Sequence, residues 1–234
     1  MESVLTDRIM ETLRAVDTPT VCNAIELVLG RRTAEGFTRR PMVAAHPRLP
    51  SLVGYARTGV LKCSAPAQEE PGVTRQRRID YYRYVADGPI PAVVVLEDQD
   101  AQPGLGAFWG EVNVAIHKGL GALGVLTNGS VRDLGAIDPD FQVLAGSLTP
   151  SHAFVHLTAF GGPVEVFGLS LRSGDIVHAD RHGAVRLDPD MVSELPRAID
   201  TVTRKEAVIL RAARAPGFTV DKLISAWGEA EDVH

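Results

Sequence analysis

Ala92-Val93-Val94-Val95-Leu96, with the glycine-containing run 98–106 behind it and Phe108-Trp109-Gly110-Glu111 next, decides the fold class. The β-branched run has no polar alternation, so it predicts a strand buried on both faces, as in a parallel sheet. The glycines end it. Apolar positions Trp109, Val112, Ala115 and Ile116 then recur at helical spacing and predict a helix over about 108–118. A second buried strand is expected over 124–127. Strand, loop, helix and strand in series belong to a layered α/β or α+β sandwich rather than a barrel.

Outward from this unit the N-terminal side predicts a helix over about 3–16, with Val4, Leu5, Ile9, Leu13 and Val16 on one stripe. A second helix is expected over 21–29, with Thr18 as its cap, Pro19 at its first position and Gly30 at its end. Residues 31–50 read as a basic, proline-containing loop, 54–64 as a strand, 68–78 as polar, and 79–85 as a short helical piece. On the C-terminal side a turn or short helix is expected over 131–137. Short strands follow around 141–145, 163–167, 175–179 and 184–187. A long helix over about 190–213 carries Val192, Leu195, Ile199 and Val202 inward. The reading is one main domain, 1–215, with N-terminal helices in 1–30, a core over about 50–190 and the closing helix. The tail, 216–234, holds a short helix with Leu223, Ile224 and Trp227, suited to a subunit contact.

The 234 residues are 45% hydrophobic and 23% charged, as expected of a globular protein. A net charge of −5 does not suggest a general polyanion binder. The two cysteines, Cys22 and Cys63, cannot build a disulfide framework, the first residues lack the layout of a signal peptide, and the apolar run 90–96 is too short to span a bilayer. The expectation is a cytoplasmic protein with no membrane partner.

Several motifs have ordinary readings. Gly119-x-Gly121-x-x-Gly124 spells a dinucleotide fingerprint, but a helix precedes it and a strand follows, the reverse of what pyrophosphate binding requires, so a helix C-cap and turn is expected. His152 and His156 have zinc-like spacing, but their β-branched surroundings suggest an extended segment. His178 and His182 read as surface residues flanking a turn. Arg31-Arg32, Arg39-Arg40 and Arg75-x-Arg77-Arg78 read as solvated basic spots or subunit contacts rather than a nucleic-acid surface.

Two segments carry more. In Gly104-Leu-Gly106-Ala-Phe-Trp-Gly110-Glu111-Val112-Asn113, glycines let a backbone approach a ligand where a helix begins, and its free N–H groups can hold a carboxylate. Glu111 also suits the first turn on dipole grounds alone. In Thr127-Asn-Gly-Ser-Val-Arg132-Asp133, a sharp turn leaves a buried strand, so Arg132 and Asp133 are expected at its carboxyl end, where α/β sheets place ligands. The ordinary alternative is an exposed ion pair.

Read together, these segments resemble the class II pyruvate aldolases that act on 4-hydroxy-4-methyl-2-oxoglutarate and 4-carboxy-4-hydroxy-2-oxoadipate, and equally the regulators of RNase E activity, the RraA-like proteins. The matching pieces are Asp17-Thr-Pro-Thr-Val-Cys-Asn-Ala24, Phe108-Trp-Gly-Glu111, Gly121 to Asp133, Gly146 to Ser151 and Ser173 to Gly183. The resemblance implies a single-domain, layered α/β/β/α sandwich of the swivelling-domain type, assembled as a homotrimer or homohexamer. It implies Mg2+ or Mn2+ bound directly by Asp133, with Glu111 holding a metal-bound water. The substrate's carboxylate would meet the backbone N–H groups of Glu111, Val112 and Asn113 beside Gly110, and Arg132 would sit by the 2-oxo oxygen. The implied activity is a lyase: aldol cleavage to pyruvate, oxaloacetate decarboxylation, or both, through a metal-stabilised enolate. A metal-bound water would serve as acid or base, no lysine being available for a Schiff base. Glu111 departs from the aspartate expected of the aldolases, and Asn128 stands where aspartate is commoner. The alternatives are a non-catalytic RraA-like protein that inhibits a ribonuclease by contact, and an enzyme with the same site but different 2-oxo acid chemistry.

Overall fold

The computed structural model describes residues 4–233. Four parallel strands form the heart of the main sheet: β2 (Leu52–Lys62), β3 (Ala92–Asp98), β5 (Ala122–Thr127) and β7 (Gln142–Ala145), paired in that order. Antiparallel strands extend both edges. β1 (Val43–Ala44) joins β7; β12 (Ile176–Asp180) and β9 (His156–Phe160) share the free edge of β2; β13 (Gly183–Leu187) pairs with β12. The run Val93–Leu96 is fully buried, as its β-branched composition requires.

The sheet curls. Its inner face encloses Val93, Val95, Leu126 and Leu144 from one half and Val177, Ala179 and Ala184 from the other, with the hairpin of β10 (Val164–Val166) and β11 (Leu169–Leu171) packed between. The outer face carries two helical groups. Over β2 and β9 lies α3 (Pro71–Ala86), through Tyr81 and Val85, and over β5 lies α4 (Glu111–Gly119), through Val114. Over β12 and β13 lie α1 (Asp7–Arg14), α2 (Thr18–Leu29) and α5 (Leu195–Ala213), through Leu13, Val21, Ala24 and Ile199. A curled sheet with helices outside both halves is the α/β/β/α sandwich, in one domain. α6 (Val220–Glu231) packs on α5 through Ala226 and Ala230 and leaves Ile224 and Trp227 exposed. No helix among the described residues is long and apolar enough to cross a membrane.

Several boundaries differ from expectation. The expected start of α1 at Ser3 lies outside the described residues; its cap is Thr6. The cap of α2 is Asp17, whose carboxylate accepts from Thr20 N, so Thr18 already belongs to the helix. Gly30 ends α2 in the left-handed conformation, with φ 65°. α3 is far longer than its tyrosine-rich end. Phe108 and Trp109 are not helical: they form β4 (Ala107–Trp109), and α4 begins only at Glu111. Gly119-x-Gly-x-x-Gly124 is the turn from α4 into β5, as its order of elements indicated.

Candidate active site

Three short parallel strands make a second sheet, ordered β4, then β6 (Ser130–Val131), then β8 (Ser147–Leu148). Their carboxyl ends face the same way, and pairing continues past them: Arg132 N donates to Trp109 O at 2.9 Å and Thr149 N to Val131 O at 3.3 Å. This brings Gly110-Glu111 beside Arg132-Asp133. The location differs from the expected one. β5 ends at Thr127, and the chain crosses through Asn128-Gly129, so it is β6 that presents Arg132 and Asp133.

Asp133 takes a left-handed backbone, φ 57°, which aspartate tolerates better than most residues. Its carbonyl accepts from Ala136 N and Ile137 N at 2.8 and 3.2 Å, starting the turn that carries the chain away. Its Oδ2 lies 3.7 Å from Arg132 Nε and accepts a long 3.4 Å bond from Glu111 N. Both side chains are about a third exposed, so as an ion pair they contribute under ~1 kcal/mol to stability. Gly110 sits between them: a Cβ there would fall 2.5 Å from Asp133 Oδ2 and 3.2 Å from Arg132 Cγ. Glycine is therefore what lets the guanidinium, the carboxylate and the start of α4 meet.

Gly110 caps α4 without a side chain, and among the described residues no acceptor reaches the N–H of Val112 or Asn113. Those donors and the helix dipole favour an anion. No hydrogen bond reaches Asp133 Oδ1 or the exposed carboxylate of Glu111 among the described residues. A donor set of oxygens open to water fits a hard divalent cation that keeps most of its hydration, Mg2+ or Mn2+ rather than zinc.

Arg132 and the first turn of α4 border a cleft of about 550 Å³, whose lining does not include the neighbouring Asp133 and Glu111 side chains. Gly110, Val112, Asn113 and Arg132 line it together with Arg78 and the segment from His152 to His156. Arg78 is a basic residue that the sequence marked as a solvated spot or a subunit contact. Its guanidinium lies over the rings of Phe108 and Tyr82, 5.6 and 5.7 Å from their centroids, and donates to Asn113 Oδ1 at 3.0 Å. Behind α4, Tyr81 Oη donates to His117 Nε2 at 2.9 Å, and His117 Nδ1 donates to Asn113 O at 2.6 Å. Burial pushes the His117 imidazole down to about 4, so it is neutral at neutral pH and pins the first turn of the helix.

A second cluster lies on the loop after β3. Cys63, Asp98 and Asp100 bring one potential ligand atom each within 4.8 Å of one another. Every carboxylate oxygen there is already engaged. Asp98 accepts from Asp100 N, Gly104 N and Cys63 Sγ; Asp100 accepts from Cys63 N, Ser64 N and Ser64 Oγ. Burial above all holds the Cys63 thiol well above its ordinary range, with the hydrogen bond to Asp98 adding to it, so it stays protonated. The cluster reads as a staple holding the glycine-rich loop against β2.

One other sequence reading changes. His178 is fully buried, not at the surface: Nε2 donates to Leu13 O and Nδ1 accepts from Thr18 Oγ1, tying α1 and α2 to β12. His182 is exposed beside Asp180, as expected. Asn128 accepts from Asp98 N at 2.7 Å and donates to Asp98 O at 3.0 Å. An aspartate could make only the first of these bonds, which accounts for an amide here.

The family model for RraA-like proteins, Aldolase/RraA, matches residues 18–186. No protein of curated function matches the sequence. Among solved structures, an uncharacterized protein from Pseudomonas syringae pv. tomato is similar with a TM-score of 0.71 at 17% identity, over 96% of each chain. A structure described under novel cellulases from microbes of the gut ecosystem gives 0.70 at 16% identity, over 88% of this chain and 89% of that one. Streptomyces coelicolor RraAS2, described as an unusual member of the RNase ES inhibitor RraA family, gives 0.63 at 20% identity, over 92% of this chain and 100% of that one. At such identities the likeness is one of fold, and activity has to be argued from the site.

Proposed function

The chain belongs to the RraA-like (Aldolase/RraA) family, and on that premise we propose that it is a divalent-metal-dependent lyase of 2-oxo acids. The observation that carries the reading is the meeting, at side-chain-free Gly110, of the Arg132 guanidinium, the Asp133 carboxylate, whose Oδ1 has no protein partner among the described residues, and the unpaired N–H groups of Val112 and Asn113. Asp133 would hold Mg2+ or Mn2+ directly and Glu111 would hold it through a water. A cation bound there supplies Lewis acidity toward the substrate's C2 oxygen.

The chain's own groups do the rest. The free N–H groups of Val112 and Asn113, joined by that of Glu111 as it gives up its long bond to Asp133, receive the C1 carboxylate at the positive end of the helix. Arg132 donates charge-assisted hydrogen bonds to the C2 oxygen as negative charge gathers on it, which lowers the barrier to breaking the C3–C4 bond. The same stabilisation serves aldol cleavage, which releases pyruvate, and loss of carbon dioxide from oxaloacetate. Active sites at the boundaries of a homotrimer or homohexamer complete the proposal, the exposed Ile224 and Trp227 of α6 being suited to such a contact.

The test is pyruvate release from oxaloacetate and from 4-hydroxy-4-methyl-2-oxoglutarate, with Mg2+ or Mn2+ and with a chelator. Turnover is expected to vanish with chelation, return with either ion, and fall about 100-fold or more in Arg132→Ala. Release that ignores chelation, or that survives in Arg132→Ala, sinks the reading. Capture of a ribonuclease by protein that turns over neither substrate would favour the inhibitor reading instead.

A further inference from the structure

The His152–His156 segment lines the cleft, yet the reading above gives it no work. Both rings are fixed in the same way. His152 Nδ1 lies 2.7 Å from Ala153 O and His156 Nδ1 lies 2.8 Å from Phe154 O. A carbonyl oxygen only accepts, so Nδ1 carries the hydrogen in both neutral rings, and each Nε2 is left as a bare lone pair. Neither Nε2 has a protein partner among the described residues. The pair does not make a zinc site: no carboxylate or thiol joins it, the one group of three potential ligands among the described residues being Cys63, Asp98 and Asp100.

The two histidines differ in how they are tied to the site. Ser151 O accepts from Ala107 N at 2.9 Å, so the residue before His152 is bonded to β4, the strand that ends at Gly110. Ala153 then takes a left-handed turn, φ 44°, and Gly106 leaves no room for a side chain, since a Cβ there would lie 2.5 Å from His152 O. The backbone around His152 is thus held against the site. His156 belongs to β9, opposite Lys62, and also borders a separate cavity with Glu69 and Arg77.

We propose that His152 is the general acid–base of aldol cleavage, a role resting on the 2-oxo acid lyase reading. Its neutral Nε2 takes the proton of the substrate's C4 hydroxyl. C4 becomes the carbonyl of the departing product, the C3–C4 electron pair moves into C2–C3, and the C2 oxygen takes the charge beside Arg132. The imidazolium then returns the proton to C3, giving pyruvate and neutral His152, so no other reactant is needed. Decarboxylation of oxaloacetate forms the same enolate with no hydroxyl proton to remove, and C3 can take its proton from water.

That difference supplies the test. His152→Asn keeps a donor near the Nδ1 position, so the bond to the backbone can persist, and removes Nε2. In the metal-loaded protein it is expected to slow cleavage of 4-hydroxy-4-methyl-2-oxoglutarate by about 100-fold or more while leaving oxaloacetate decarboxylation within about threefold of the parent. Added imidazole is expected to restore a measurable part of the lost cleavage, which a purely structural defect would not allow. His156→Asn is the comparison and should leave the ratio of the two activities unchanged. Parallel loss of both reactions without rescue, no loss of either, or selective loss in His156→Asn instead, each overturns the role of His152 while the lyase reading stands. A parent protein that turns over neither substrate with metal overturns the lyase reading and this assignment together.

Discussion

Two groups of acidic side chains face different fates in this molecule. Cys63, Asp98 and Asp100 put three potential ligands in close reach, but backbone donors and Ser64 occupy every carboxylate oxygen. Beside Gly110, Asp133 accepts from the backbone N–H of Glu111, and among the described residues its Oδ1 and the Glu111 carboxylate are unclaimed. Proximity of ligand atoms is the poorer guide. A cation needs lone pairs that the fold has not already used, and a structural carboxylate is one whose lone pairs are all spent on donors that would otherwise be stranded.

The largest effect that could break this contrast is on catalysis. Asp133→Asn keeps the left-handed turn but removes the charge, and kcat/KM for pyruvate release should fall about 1000-fold, roughly 4 kcal/mol of transition-state stabilisation, with a urea midpoint close to the parent's. Equal activity would erase the distinction. Asp98→Ala should do the opposite. It strands buried N–H donors, so stability should drop by about 3 kcal/mol in urea unfolding while the Mg2+ concentration for half-maximal rate stays put.

A comparable effect lies beneath α4. His117 binds a proton near pH 4 when folded and near 6.5 when unfolded. Its share of stability is therefore full above about 6.5 and is lost as pH falls toward 4, a difference of about 3 kcal/mol. Burial depresses His178 in the same direction. Urea midpoints at pH 7 and pH 4.5 should show the fall, and His117→Asn should flatten part of it; equal slopes in the two proteins would contradict the assignment. Gly110→Ala should give the smallest effect: about 30-fold in kcat/KM from displacing Asp133 Oδ2, with under ~1 kcal/mol of stability lost.

Much of the framework was readable because its signals are local. The β-branched run of β3, the Gly30 stop and the helix-to-strand order around Gly119–Gly124 each depend on a few adjacent residues. α3 was not, because Pro71–Arg78 buries little and shows no apolar stripe, and tertiary contact at Tyr81 and Val85 holds it. β4, β6 and β8, of two or three residues each, leave no period to detect, so Trp109 was assigned to a helix and Arg132 to the wrong strand end. Arg132, Asp133 and Glu111 stood out by their glycine-rich settings. Arg78 and His152 did not, because only the packing of α3 and of the segment after β8 brings them to the cleft.

The most direct measurement of the central claim is a Mn2+ titration of the parent, Asp133→Asn and Cys63→Ala, read by binding calorimetry without substrate. One ion per chain is expected in the parent and in Cys63→Ala, and none in Asp133→Asn. Binding that survives loss of the Asp133 charge, or that disappears with the Cys63 thiol, would place the cation at the other cluster and contradict the account.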